Sequence, residues 1–170
     1  MLKHTVATAG LALLVACGDS ADRERPASDV PYGELEIALS GSTQVTRPAI
    51  QAWQDYDPSV EIVSIDDPDG GRFFVAAKVT DLGAGVHRYE YAIQNLTSHR
   101  SANSFTVPVP VGAIVTNVGF HDVDYHSGEP FDLTDWTAVT PQGMVQWRTV
   151  GYDIDPDANA LRWGTLYNFR

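Results

Sequence analysis

Phe73-Phe74-Val75-Ala76-Ala77-Lys78-Val79, then Gly83-Ala84-Gly85, then Arg88-Tyr89-Glu90-Tyr91-Ala92-Ile93-Gln94 reads as strand, turn and strand. Successive side chains of a strand point to opposite faces, so Phe73, Val75, Ala77 and Val79 share one face. On the returning segment Tyr89, Tyr91 and Ile93 share a face, while Arg88, Glu90 and Gln94 take the other. Alternation of this kind suits an antiparallel sheet with one face on a core and one toward solvent.

The segments on either side extend the pattern. Glu61 to Ile65 alternates and runs into the turn residues Asp66-Asp67-Pro68-Asp69-Gly70-Gly71. Phe105, Val107, Val109 and Val111 alternate with Pro108 and Pro110; two prolines withhold ladder donors, which predicts an edge strand or a bulged crossover between sheets. Ile114 to Phe120 is a further predicted strand, with Ile114, Val118 and Phe120 together, and a polar loop follows from His121 to Asp135. Trp136 to Val139 and Met144 to Val150 form a predicted hairpin around Thr140-Pro141-Gln142-Gly143, with Pro141 in the second position of a type I turn. Leu161, Trp163, Thr165, Tyr167 and Phe169 then alternate, which predicts one buried face carrying Leu161, Trp163, Tyr167 and Phe169. Nearer the N-terminus, Glu34 to Leu39 alternates as a first strand. Pro48 to Asp57 holds the one helical turn, opened by Pro48 and stopped by Pro58. The fold class expected is all-β: an antiparallel β-sandwich, immunoglobulin-like or jelly-roll, with at most one short helix.

The N-terminus carries an address. Lys3 and His4 precede an apolar run from Thr5 to Ala16, too short to span a bilayer, which ends in Leu14-Val15-Ala16-Cys17. That ending resembles the lipobox of bacterial lipoproteins, which implies a diacylglyceryl group on the Cys17 thiol and cleavage before it. The expected organisation is therefore a signal peptide at 1–16, a lipidated cysteine with a flexible tether at 17–33, and a sandwich domain at 34–170. Gly18 to Gly33 lacks apolar periodicity and is rich in charge and small residues, as a tether is. Gly18, in place of the Asp that marks inner-membrane retention in some bacteria, points to the outer membrane of the cell envelope. The strand pattern runs to Arg170 without a polar tail, so the chain either ends on a core strand or continues in a longer protein.

Composition narrows the partners. The 11 basic residues face 22 acidic ones, a net charge of −11. Loss of Lys3 with the leader would bring it to about −12 and leave Lys78 as the last lysine. Nucleic acid is excluded as a partner, because phosphate binding needs clustered Lys and Arg. Anionic headgroups are disfavoured too, so contact with the membrane would run through the lipid on Cys17. With the single Cys acylated, no thiol is left for a disulfide, a nucleophile or a metal site.

A few residue clusters carry chemistry. In His121-Asp122-Val123-Asp124-Tyr125-His126, a continued strand would put Asp122, Asp124 and His126 on one face, with Glu129 or Asp132 in reach to complete a divalent-cation shell. A solvated loop with turn-capping aspartates explains the same residues without a metal. Asp153 to Asn159 mimics a calcium loop, but Ala158 stands at its glycine and Gly164 at its bidentate Glu, so it reads as an acidic turn. Asp67-Pro68-Asp69-Gly70 reads as a turn for the same reason. No Gly-x-Ser-x-Gly elbow, His-Glu-x-x-His or phosphate-cradling glycine loop is present, and the expectation is a non-enzymatic chain without a cofactor. A carboxylate pair for glycoside hydrolysis has no local signature and leaves a hydrolase as one alternative. Trp53, Trp136, Trp147 and Trp163 offer another, a carbohydrate-binding platform. Trp136, which follows a polar loop, is the one expected to be exposed and to serve a ligand.

At Tyr89-Glu90-Tyr91 with Asn95-Leu96, at Phe120 to Gly128, and at Asn159 to Arg170, the chain resembles a family of secreted β-sandwich domains of environmental bacteria, often ones with surface-sorting signals. The similarity covers about residues 50 to 170, and its most specific part is Asn159-Ala160-Leu161-Arg162-Trp163-Gly164-Thr165-Leu166-Tyr167-Asn168-Phe169-Arg170. Relatives continue beyond that run. The resemblance implies a fold and a location but no catalytic or binding residue. The role it suggests is interaction or adhesion at the envelope, with a surface protein or polysaccharide as partner.

Overall fold

The structure is a computed structural model that describes residues 14–16, 42, 44–124 and 129–170. Cys17, the tether, the Glu34 to Leu39 segment and His126 lie outside the described residues.

The hairpin of the opening segment is the centre of one sheet. β3 (Arg72–Gly83) pairs with β4 (Val86–Asn95) over almost their whole length, from Phe73 opposite Asn95 to Gly83 opposite Val86. β2 (Glu61–Asp66) flanks β3, and β9 (Leu166–Phe169) and β6 (Phe120–His121) lie beyond β4, giving the order β2-β3-β4-β9-β6. The second sheet has the order β1-β5-β8-β7, built from β1 (Leu14–Ala16), β5 (Ser101–Pro108), β8 (Met144–Arg148) and β7 (Thr137–Val139). Every strand pair is antiparallel. The sheets enclose a core in which Phe73, Val75, Ile93, Tyr167 and Phe169 of the first meet Phe105, Val145 and Trp147 of the second. The chain is an all-β antiparallel sandwich, with one short helix among the described residues.

That helix, α1 (Gln51–Tyr56), lies within the Pro48 to Asp57 segment and covers the outer face of the five-stranded sheet. Ile50, Val60, Ala76 and Ala92 are buried there against Trp53, Ile62, Phe74 and Leu166. The Ile50 amide, one of the donors a helix start leaves unpaired, donates to Gln94 Oε1 at 3.1 Å.

Two readings need correction and one holds. Ile114 to Phe120 is not a strand: only Phe120–His121 pairs, and Ile114 is 91% exposed. Asn117 at φ +57 takes the left-handed conformation, which interrupts an extended run. The edge expected for the Phe105 to Val111 run holds in its strand part, since Phe105 to Pro108 pairs with β8 alone while β1 reaches only Ser101 to Ser104. Pro108 falls past the part paired with β1, where its missing donor faces no ladder partner on that side. In the β7–β8 hairpin Met144 N donates to Pro141 O, so the turn opens at Pro141, one residue later than expected, with the proline in its first rather than second position.

Between β4 and β5 the chain leaves one sheet for the other through residues 96–100. Backbone groups of this corner that turn inward need partners from the protein, and Asn95 supplies them. Its fully buried amide Nδ2 lies 3.1 Å from Ser98 O, 3.1 Å from Arg100 O and 3.2 Å from Leu161 O, and its Oδ1 accepts from Ser98 N. Asp67 supports the corner by accepting from Ser98 Oγ, a hydrogen bond that, with the Asp69 amide, holds its carboxyl below the usual range. Gly71 packs so tightly here that a Cβ on it would come within 2.2 Å of Ser98 Cα. Asn95→Ala should therefore lose roughly 2–4 kcal/mol of stability, since each buried group left unpaired costs about 1–3 kcal/mol. Urea unfolding at constant m-value is the check, and an unchanged midpoint would remove Asn95 from this role.

Candidate functional site

Trp163 stands on a β-turn rather than in a strand. Thr165 N donates to Arg162 O at 3.1 Å, which closes a turn of Arg162, Trp163, Gly164 and Thr165, and Gly164 at φ +78 supplies the conformation that L side chains avoid. The turn is tied to the sheet on both sides, with Gly164 N donating to Asn95 O and Asn95 N to Thr165 O. A side chain at such a corner projects away from the core. Trp163 is 68% exposed, and the expected face of Leu161, Trp163, Tyr167 and Phe169 loses this member while the other three are buried. Strand alternation failed because pairing in β9 begins only at Leu166.

Trp136 does the reverse. The residue expected to be exposed and to serve a ligand is 4% exposed. Its ring stacks on Phe120 at 5.6 Å with 10° between planes, and it meets Tyr167 edge-on at 5.7 Å. Its indole N–H donates to Asn159 O. Asn159 is a second buried amide that gathers loops: Nδ2 donates to Asp122 and to Thr134 O at 3.1 Å, and Oδ1 accepts from Tyr167 Oη at 2.6 Å.

Beside Trp163 opens a cleft of about 270 Å³. Its floor and walls come from His99 before β5, Ser101 and Asn103 at its start, from Glu129 and Phe131, from Tyr152, Asp155, Pro156 and Ala158, and from Arg162 and Trp163. Ala102 and Phe105 both face the core although three residues apart, so the strand changes facing between them, where its register against β1 also shifts. Ser101 and Asn103 are thereby left to line the cleft. The two long loops are fastened together, Asp132 N donating to Asp157 O at 2.7 Å.

Arg162 braces this wall. Its guanidinium lies 3.3 Å from the centroid of the Phe131 ring, and Nη2 donates at 2.9 Å to both Pro156 O and Ala158 O. Burial pulls its pKa down, opposed by Tyr167 and by Asp157, Glu129 and Asp155. Nη2 is thus engaged by two loop carbonyls, while the buried Nε has no hydrogen-bond partner among the described residues. The ring of His99 approaches Trp163 at 6.4 Å with a 43° tilt.

The acidic segment after Phe120 is arranged differently from the expectation. β6 ends at His121, so Asp122 and Asp124 do not continue a strand face. Asp122 is half-buried and accepts from Asn159, whereas Asp124 is exposed. Among the described residues no group of three His, Cys, Asp or Glu side chains is placed to hold a metal ion. Asp155 accepts from the Asp157 amide at 2.9 Å, the geometry of an acidic turn. Asp67 accepts from the Asp69 amide at 3.0 Å in the same manner.

A second groove, on the outer side of the β4–β9–β6 edge, is lined by Trp53, Glu90, His121, Asn168 and Arg170. No protein-family model, curated protein or solved structure matches the chain.

Two predictions follow from the inverted tryptophans and from Asp122. Trp136→Ala should destabilise by about 3–5 kcal/mol, whereas Trp163→Ala should stay within about 0.5 kcal/mol of the native chain. Thermal melts of the two variants side by side decide this, and equal losses would overturn the assignment. The Asp122 carboxyl is raised mainly by burial, with Asp135 adding to the rise and the Asn159 hydrogen bond opposing it. The folded state therefore holds its proton to higher pH than the unfolded chain, and stability contributed by this group falls as pH climbs from the ordinary carboxylate range through the raised value. Asp122→Asn keeps an acceptor for Asn159 but cannot ionise. Its melting temperature relative to the native chain should rise across that window, and a difference independent of pH would exclude the burial account.

Proposed function

We propose that this chain is a lipid-anchored domain of the bacterial cell envelope that binds a surface partner and performs no chemistry. The observation that carries the binding role is Trp163, 68% exposed at the lip of a cleft whose walls are fastened by Arg162, Asp132 and Asn159. Leaving an indole in water forgoes the burial that stabilises the rest of the core, and large aromatics at a rim are a common anchor of binding surfaces. The anchor is argued from Leu14-Val15-Ala16-Cys17 after an apolar run, and the outer membrane from Gly18. The resemblance to secreted sandwich domains of environmental bacteria supports the same location. A charge of −11 leaves the partner to be a protein or a polysaccharide rather than nucleic acid.

Labelled palmitate and cell fractionation test the reading together. The native protein should carry the label and sediment with outer membranes, and Cys17→Ala should lose the label and the sedimentation. Adhesion of expressing cells to a coated surface should fall with Trp163→Ala at equal surface display. A native protein that takes up no label and stays soluble overturns the anchor. Release of reducing ends from a polysaccharide by the purified chain overturns the non-enzymatic role.

A further inference from the structure

We infer that the Trp163 cleft takes one ring of a neutral carbohydrate, an inference that rests on the binding role proposed above. Three properties of the cleft converge on that chemistry. The first is the indole itself. The face of an aromatic ring is electron-rich, and the C–H groups on the apolar side of a pyranose carry partial positive charge, so ring and sugar stack flat. Trp163 offers such a face, flanked by His99 on one side and held in place by the Gly164 turn.

The second is the polar lining. Ser101, Asn103, Glu129 and Asp155 surround the same space and mix donors with acceptors, which matches vicinal hydroxyls that both give and take hydrogen bonds. The third is charge. The carboxylates of Glu129 and Asp155 line the same space as a single guanidinium. Its Nη2 is engaged with Pro156 O and Ala158 O and it lies over the Phe131 ring, while its buried Nε has no hydrogen-bond partner among the described residues. A uronate would meet two like charges against one guanidinium, on a chain that is itself strongly acidic. A volume of about 270 Å³ lies just under the roughly 300–1,000 Å³ of pockets for drug-sized ligands, so the cleft holds one ring and leaves the rest of a glycan outside.

The test is affinity electrophoresis and calorimetry of the full chain in mild detergent, with cello-, xylo- and mannohexaose as neutral probes and trigalacturonate as the charged one. At least one neutral oligosaccharide should bind and quench tryptophan fluorescence. Trp163→Ala should weaken that binding about tenfold or more, equivalent to about 1.4 kcal/mol. Trp163→Phe should retain part of it. Tyr56→Ala, which removes an aromatic exposed to 91% and away from the cleft, should leave it unchanged. Binding of trigalacturonate alone, binding indifferent to Trp163→Ala, or no binding of any neutral probe overturns the inference. Adhesion that depends on Trp163 in the absence of sugar binding would overturn the carbohydrate class while leaving the binding role in place. Palmitate labelling and fractionation report on the anchor independently of either.

Discussion

A buried amide holds the two sheets in register. The chain passes from β4 to β5 through a corner at which Thr97 and His99 are exposed while Asn95 and Ser98 are buried, so part of its backbone turns inward. The Asn95 amide meets two of the corner's carbonyls, Ser98 O and Arg100 O, and ties the corner to Leu161 O, 66 residues further on. Hydrophobic burial is non-directional and would accept many ways of stacking two sheets, but a buried hydrogen-bond set accepts few. The polar corner therefore selects among arrangements that the apolar residues alone would leave close in energy. Asp67, Ser98 and the tight approach of Gly71 narrow the choice further.

The same device recurs two residues before Leu161 and builds the cleft. Asn159 collects Asp122, Thr134, Trp136 and Tyr167, which draws the loop before β7 onto the loop before β9. Once those loops are joined, Arg162 has carbonyls at Pro156 and Ala158 to bind and a Phe131 ring to lie on. Trp163, next in sequence, is then turned outward by the Arg162 to Thr165 turn. Position in the core and position at the rim are thus set by neighbouring residues of one short segment.

The β3–β4 hairpin was legible because apolar residues recur at every second position of both runs, Phe73, Val75, Ala77 and Val79 then Tyr89, Tyr91 and Ile93, and the turn glycines mark where they reverse. α1 was legible from its flanking prolines. Single residues in special backbone conformations were not: Asn117 breaks the predicted strand from Ile114, and Gly164 converts an apparent strand position into a turn corner. Period-two alternation continues on paper through such residues even when the backbone does not extend. That is why Trp163 was read as core. Trp136 was missed for a different reason, since a polar flank says little about a side chain that reaches across to stack on Phe120. The roles of Asn95 and Asn159 had no local signal beyond lying next to predicted strand ends, because their partners are distant in sequence.

The pairing of Leu14–Ala16 with Ser101 to Ser104 bears on the proposed anchor. Cleavage before Cys17 would take that strand away and leave the first half of β5 as an edge. An open edge invites pairing with another chain unless something blunts it. Here the change of facing between Ala102 and Phe105 already breaks the regular ladder, and Ala102 keeps its reciprocal hydrogen bonds to Leu161 on the side toward the other sheet. Pro108 closes the far end of the strand to any longer partner. The edge that maturation would expose is thus short and irregular. Because Ser101 lies in it and also lines the Trp163 cleft, the retained bridge between Ala102 and Leu161 would preserve the cleft after the leader had gone.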